Sequence, residues 1–177
     1  SFFENKIQLK NVSYFFTILC ILLLINALNM FDGINLQAAS YCLLIFLIFI
    51  FKDMYHFHSL NLVMILILFL FFNYNNKIFL GDSGTQILAF LISYILIKSY
   101  NLDGKIMPEE IFVILSFPGI DMFRLFLIRI YNKKNPFKGD NNHIHHVLFR
   151  IYGEKKAILY VQIIYLLPLL ISFFSLE

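Results

Sequence analysis

Long apolar runs separated by short polar turns organise this chain. Val12–Phe31 is the first run, and a bilayer crossing needs about 20 apolar residues. Gln37–Phe51 is the second and residues 60–72 the third, with residues 52–59 as the polar turn between them. Both apolar cores are short, so flanking polar residues complete them or the bilayer thins around them. Residues 85–100, 111–131 and 157–176 complete a set of six spans. The pattern therefore predicts an all-α, multispan membrane bundle in one membrane domain covering residues 1–177.

The last turns of the first run break its pattern. Asn26, Asn29 and Asp32 recur at every third position and draw a polar stripe down one helix face. Lipid would not tolerate that stripe, so it must face protein or water. It continues into Asp32-Gly33-Ile34-Asn35. A second polar element, Phe79-Leu80-Gly81-Asp82-Ser83-Gly84, sits between two apolar runs. Its glycines let backbone approach a bulky ligand, and a helix starting at Ser83 or Gly84 would aim free N–H groups at an anion. The plain alternative is an Asp cap on a membrane helix. A third element is the polar loop of residues 132–156. It carries Pro136-Phe137, Asp140 and His143-Ile144-His145-His146. Within the fifth span, Pro118 should kink the helix before Asp121 and Arg124, which are spaced to pair on one face.

Counting crossings puts all three polar elements on one membrane face. The second and third spans go out and return, and so do the fourth and fifth. Lys133, Lys134, Lys138, Arg150, Lys155 and Lys156 lie on that face. The other face has Lys52, Lys98 and Lys105 against Asp103, Glu109 and Glu110, although Lys6 and Lys10 also fall there. Basic loops stay cytoplasmic, so the polar elements are expected at the cytoplasmic surface.

Composition agrees with the run pattern. Hydrophobic residues make up 60% of the 177 and charged residues 14%, against roughly a quarter in soluble domains. With 22 Phe, 10 Tyr and no Trp, tyrosines are the expected interfacial aromatics. The formal charge of +3 says little by itself; where the basic residues lie says more, and no nucleic-acid partner is expected. Cys20 and Cys42 fall inside apolar runs and read as small buried hydrophobes.

Carboxylates, asparagines, histidines and basic groups at a membrane surface suit phosphate chemistry. Asp82 with an oxygen of Asn29 or Asp32 can hold Mg²⁺, with Mn²⁺ as a substitute, while phosphates complete the shell. His145 and His146 with Arg124 or Arg150 can bind phosphates, and Phe79 can stack on a base. The alternatives are helix-end capping for the Asn/Asp stripe, a structural Asp121–Arg124 pair, and a transition-metal site at the histidines. That last site lacks the cysteine partners of structural zinc.

Taken together, these elements resemble the polyprenyl-phosphate N-acetylhexosamine-1-phosphate transferases. Asn26-Ala27-Leu28-Asn29-Met30-Phe31-Asp32-Gly33 looks like that family's N-A-x-N-x-x-D-G element. Phe79 to Gly84 looks like its F-x-G-D-x-G element. Asp121-Met122-Phe123-Arg124, Asn135-Pro136-Phe137, Asp140 and the histidines look like its last cytoplasmic loop. The resemblance implies a UDP-N-acetylhexosamine donor, undecaprenyl phosphate as acceptor, Mg²⁺, and UMP as product. The His-x-His-His form is similar to the GlcNAc/O-antigen branch, which starts lipopolysaccharide and other cell-surface polymers, more than to the phospho-MurNAc-pentapeptide translocases. It makes Asp82 and Asn29 metal ligands and Asp32, Asp82 and His145 catalytic. Asn26, Asn35, Phe79, Gly81, Arg124, His143, His146 and Arg150 fall to the substrates. A homodimer is compatible with it.

Two departures stand out. Asn35 and Leu36 replace an Asp-Gly pair of the family, which bears on nucleotide or sugar preference. No Asp-Asp pair occurs anywhere in the chain, whereas the family carries one on an earlier loop. The expectation is therefore the C-terminal part of a longer enzyme, inactive alone. The rival from another class is a non-enzymatic transporter or binding subunit, which would put ionisable groups at mid-bilayer.

Overall fold

The computed structural model describes residues 12–133, 135 and 144–174. Among them there are seven α-helices and no strand: α1 (Val12–Phe31), α2 (Gln37–Phe51), α3 (His56–Tyr74), α4 (Gly81–Lys98), α5 (Pro108–Tyr131), α6 (Ile144–Tyr152) and α7 (Glu154–Phe174). A π-helical turn, Ser99–Asp103, extends α4. Among the described residues, four helices are long and apolar enough to cross a membrane: α1, α3, α5 and α4 with its π extension. At 15 residues, α2 reaches only about 22 Å.

The first two spans lie where the apolar runs put them. The others differ in instructive ways. α3 begins at His56, four residues before its apolar core, so its 19 residues need no thinned bilayer. Ser59 permits this early start, because its buried hydroxyl donates to the Met54 carbonyl at 3.1 Å. α4 begins at Gly81, ahead of the expected Ser83 or Gly84, so Asp82 stands inside its first turn rather than capping it. α5 gains a turn through Pro108 at its first position and the Glu110 side chain, which accepts the Met107 N–H at 2.8 Å. It continues as one helix through Pro118.

α6 corrects the reading of residues 132–156 as a plain loop. Ile144, Val147, Leu148 and Ile151 recur at helical spacing and leave His145, His146 and Arg150 off that stripe. Cys20 also departs from expectation: it is exposed on the apolar flank of α1, whereas Cys42 is buried.

α2 packs along α3, α1 along α4 and α5, and α7 along α5 and α2. Ala38, Ala39 and Ala89, almost fully buried, let these helices approach closely. At the centre, Phe31, Tyr41, Phe117 and Tyr165 form a ring cluster with edge-to-face centroid separations of 5.3–6.0 Å. The outer faces of α1 and α3, including Tyr14, Phe15, Ile18, Ile65, Leu68 and Phe71, are exposed and apolar, as lipid contact requires.

Two sets of contacts fix the alternation of the helices. At one end, the α2–α3 turn meets the α4–α5 connection through Lys52 Nζ–Glu110 Oε1 at 2.5 Å and Lys105 Nζ–Asp53 Oδ2 at 2.9 Å. At the other end, the α1–α2 turn meets the α3–α4 turn. The ends of α1 to α4 thus alternate in the order that the count of crossings requires.

Candidate functional site

The end of α1 and the start of α4 meet at this second end. α1 stops at Phe31, where the Asp32 N–H still donates to the Leu28 carbonyl at 3.1 Å and Gly33 turns back onto Phe31 at 2.9 Å. Asn29, one turn before the end, lies against α4. Its Oδ1 is 3.1 Å from the hydroxyl of Thr85, which is fully buried in the first turns of α4. Thr85 Oγ1 is also 2.9 Å from the Asp82 carbonyl and 3.3 Å from that of Gly81. Gly81 has φ +64°, a conformation open to glycine and costly for most other residues. Gly84 makes room for Leu80, whose Cδ1 would stand 2.8 Å from any added Cβ.

The two loops are tied by α3's last turn. Asn73 is buried; its Oδ1 accepts the Leu36 N–H at 2.7 Å and its Nδ2 donates to the Ile78 carbonyl at 2.7 Å. Asn35 Nδ2 donates to Asn76 Oδ1. Leu36 sits at φ 69° and Asn76 at φ 56°, left-handed conformations that these side-chain bonds help to hold. One asparagine thus binds the turn after Asp32 and the segment before Asp82 at the same time.

These ties hold the turn after Asp32 against the segment before Asp82, within range for the two carboxylates to repel. Burial pushes the Asp32 carboxyl up from 3.8 to about 6, and repulsion from Asp82 adds to the rise. Asp82 itself is exposed, as are Gly81 and the ring of Phe79, which is 69% exposed and open to stacking. A cation held between these two turns would meet two carboxylates and a carboxamide. Among the described residues no group of three His, Cys, Asp or Glu forms a closed metal cage. Such an open set of oxygens fits Mg²⁺, which is usually bound through one or two carboxylates plus substrate phosphates. A divalent cation would also cancel the repulsion recorded at Asp32.

Other expected residues lie elsewhere or serve differently. The Asn26 amide donates back to the Leu22 carbonyl at 2.8 Å, within its own helix. Arg124 engages Asp121 through Nη2 at 2.8 Å and Nε at 3.2 Å, so the pair expected from their spacing forms. The Phe117 ring lies 5.4 Å from that of Phe31. Asp121, one turn further along α5, is therefore about 6 Å beyond that level, towards the end that carries Asp32. Arg150 is exposed on α6. His145 and His146 belong to the first turn of α6, their side chains lie outside the described residues, and so do His143 and Asp140. A concavity of about 410 Å³ between α1, α4 and α5, bordered by Ser13, Thr17 and Ser93, lies roughly 20 Å along α1 from Asp32 and belongs to the opposite half.

Thr85, Asn73 and Asn76 are the site's unpredicted members. They are uncharged polar residues near helix ends, where the sequence shows only capping or solvation. The signal that could have found Asn73 is its position directly after an apolar run, six residues before Phe79.

The chain matches the family model described as Glycosyl transferase family 4 over residues 1–100. It is 36% identical over 75 residues to the undecaprenyl-phosphate alpha-N-acetylglucosaminyl 1-phosphate transferases of Pasteurella multocida and Haemophilus influenzae, covering 42% of this chain and 21% of each relative. The Escherichia coli K12 protein of the same name is 32% identical over 77 residues, 42% of this chain and 20% of its own. The chain thus spans about a fifth of the length of the curated relatives it matches. No solved structure matches.

Proposed function

The chain belongs to glycosyl transferase family 4, and on that premise we propose that it is part of an enzyme that transfers N-acetylhexosamine-1-phosphate, as GlcNAc-1-phosphate, from a UDP-sugar to undecaprenyl phosphate. The observation that carries the reading is the approach of Asp32 to Asp82 beside Asn29, made by two segments 50 residues apart. A phosphate oxygen of the acceptor attacks the sugar-linked phosphorus. A new P–O bond forms there, the pyrophosphate bond breaks, and UMP leaves.

Asn29, Asp32 and Asp82 would hold Mg²⁺, which supplies neutralisation of the diphosphate charge as UMP departs. Phe79, exposed at the mouth, stacks on the uracil, and Asn35 lies beside the nucleoside. Gly81 lets backbone approach the diphosphate. The phosphates fall to His143, His145 and His146 with Arg124 and Arg150. The site faces the cytoplasm, where UDP-sugars are made, and the product starts a cell-surface polysaccharide.

Membranes containing the full-length protein test this directly. With radiolabelled UDP-GlcNAc they should transfer label to an organic-extractable lipid and release UMP. Asp82→Ala should lower that transfer at least about a hundredfold, because a metal-binding and transition-state interaction is lost together. Undiminished transfer would refute the role of Asp82.

A further inference from the structure

We infer that Thr85 is a positioning residue that sets which end of the Asn29 carboxamide faces the cation. The inference rests on the proposed cation site and deepens it. Thr85 Oγ1 has three oxygens around it: Asn29 Oδ1 at 3.1 Å, the Asp82 carbonyl at 2.9 Å and the Gly81 carbonyl at 3.3 Å. A hydroxyl has one proton and two lone pairs. If the proton goes to Asn29 Oδ1, the shorter approach to the Asp82 carbonyl sets two acceptors against each other with nothing between them. Thr85 is fully buried, so water does not relieve the conflict.

The two ends of a carboxamide have the same shape, and the surrounding hydrogen bonds decide between them. Turning the Asn29 amide over resolves the conflict. Its Nδ2 then donates to Thr85 Oγ1, and the Thr85 hydroxyl donates to the Asp82 carbonyl, a bond back to residue i−3 within the helix. Every group in the contact is then satisfied. Asn29 Oδ1, a hard oxygen, turns away from Thr85 with its lone pairs available to a cation. Without the hydroxyl, either amide orientation is tolerated, and an N–H₂ directed at a cation repels it. Thr85 thereby couples the Asn29 ligand to the same turn that carries Asp82.

The test is Mn²⁺ binding to the purified full-length protein, followed by loss of the free-ion EPR signal. Outer partners of metal ligands change affinity by about 10- to 100-fold. Thr85→Val should weaken Mn²⁺ about tenfold and Thr85→Ser should stay within about twofold of the parent. In an Asn29→Asp background, Thr85→Val should change affinity by less than about twofold, because a carboxylate presents an oxygen whichever way it turns. Equal weakening in both backgrounds, or no weakening in either, overturns the inference. Size-exclusion profiles and thermal melts establish that each variant folds; if Thr85→Val does not, Thr85→Ala enters the same comparison. If Mn²⁺ binding is lost in Asp82→Ala but indifferent to Thr85→Val, the role of Thr85 alone fails. If Asp82→Ala binds like the parent, the cation site itself fails.

Discussion

The Tyr41 hydroxyl donates to the main-chain carbonyl of Ile114, four residues before Pro118. Proline has no N–H, so within α5 this carbonyl has no helical partner. In a membrane there is no water to take its place, and an unsatisfied carbonyl costs several kcal/mol in hydrocarbon. Tyr41, on α2 and fully buried, supplies the missing donor. Its ring also packs on Phe31 at the end of α1 and on Tyr165 of α7. The helix bearing Asp121 and Arg124 is thereby tied to the helix end bearing Asn29.

Tyr41→Phe should destabilise the folded protein by about 1–2 kcal/mol, the cost of stranding a buried acceptor. The penalty should shrink to less than half in a Pro118→Ala background, where residue 118 regains an N–H for Ile114. Unfolding in mixed detergent micelles measures both differences. Equal penalties in the two backgrounds would show that the hydroxyl does not serve this carbonyl.

Asp32 makes stability depend on pH. Its carboxyl titrates at about 6 when folded and near 3.8 otherwise. The folded protein therefore holds more protons through that window, and metal-free stability falls as pH rises from about 4 to 6. Asp32→Asn removes the ionisable group. It should stabilise the metal-free protein at pH 7 by about 1–2 kcal/mol, after solvent screening at a half-buried position, and by nothing near pH 4. The same change should abolish sugar-phosphate transfer, the usual conflict between a strained site and stability. Melts across pH 4–7.5 follow the first effect.

Asn73→Ala should cost about 2–3 kcal/mol and weaken cation binding as well, because it releases the Leu36 N–H and the Ile78 carbonyl from one buried partner. Hydrogen exchange should rise at Leu36. Unchanged protection there would mean that Asn73 does not clamp the loops.

At the far end, the two ion pairs should differ in weight. Glu110 is buried and serves both Lys52 and the Met107 N–H, so Glu110→Ala should destabilise the protein by about 2–4 kcal/mol and clearly lower its unfolding midpoint. Lys105 pairs with an exposed Asp53, and Lys105→Ala should leave the midpoint almost where it was. Thermal melts in one detergent compare the two.

The bundle was largely legible in the sequence, because a helix in lipid must be apolar along its length. Val12–Phe31 and Gln37–Phe51 end where Asp32 and Lys52 interrupt the runs. Helix starts were less legible. His56-Phe57-His58-Ser59 looks like a turn, and only the fold shows Ser59 buried with its hydroxyl satisfied. α6 was hidden by its histidines and arginine, since nine residues leave its apolar stripe only four members. At the site, charge made Asp32 and Asp82 visible. Thr85 and Asn73 act through hydrogen bonds between segments distant in sequence, and no local pattern encodes such a pairing.

Asp32, Asp82 and Asn29 are proposed to form one divalent-cation site. Equilibrium Mn²⁺ titration of the full-length protein by EPR, with Asp32→Ala and Asp82→Ala beside a control at the exposed Asp53, tests it most directly. One Mn²⁺ should bind per chain, weakened at least about tenfold by either site substitution and untouched by Asp53→Ala. Binding that survives both site substitutions unchanged would contradict it.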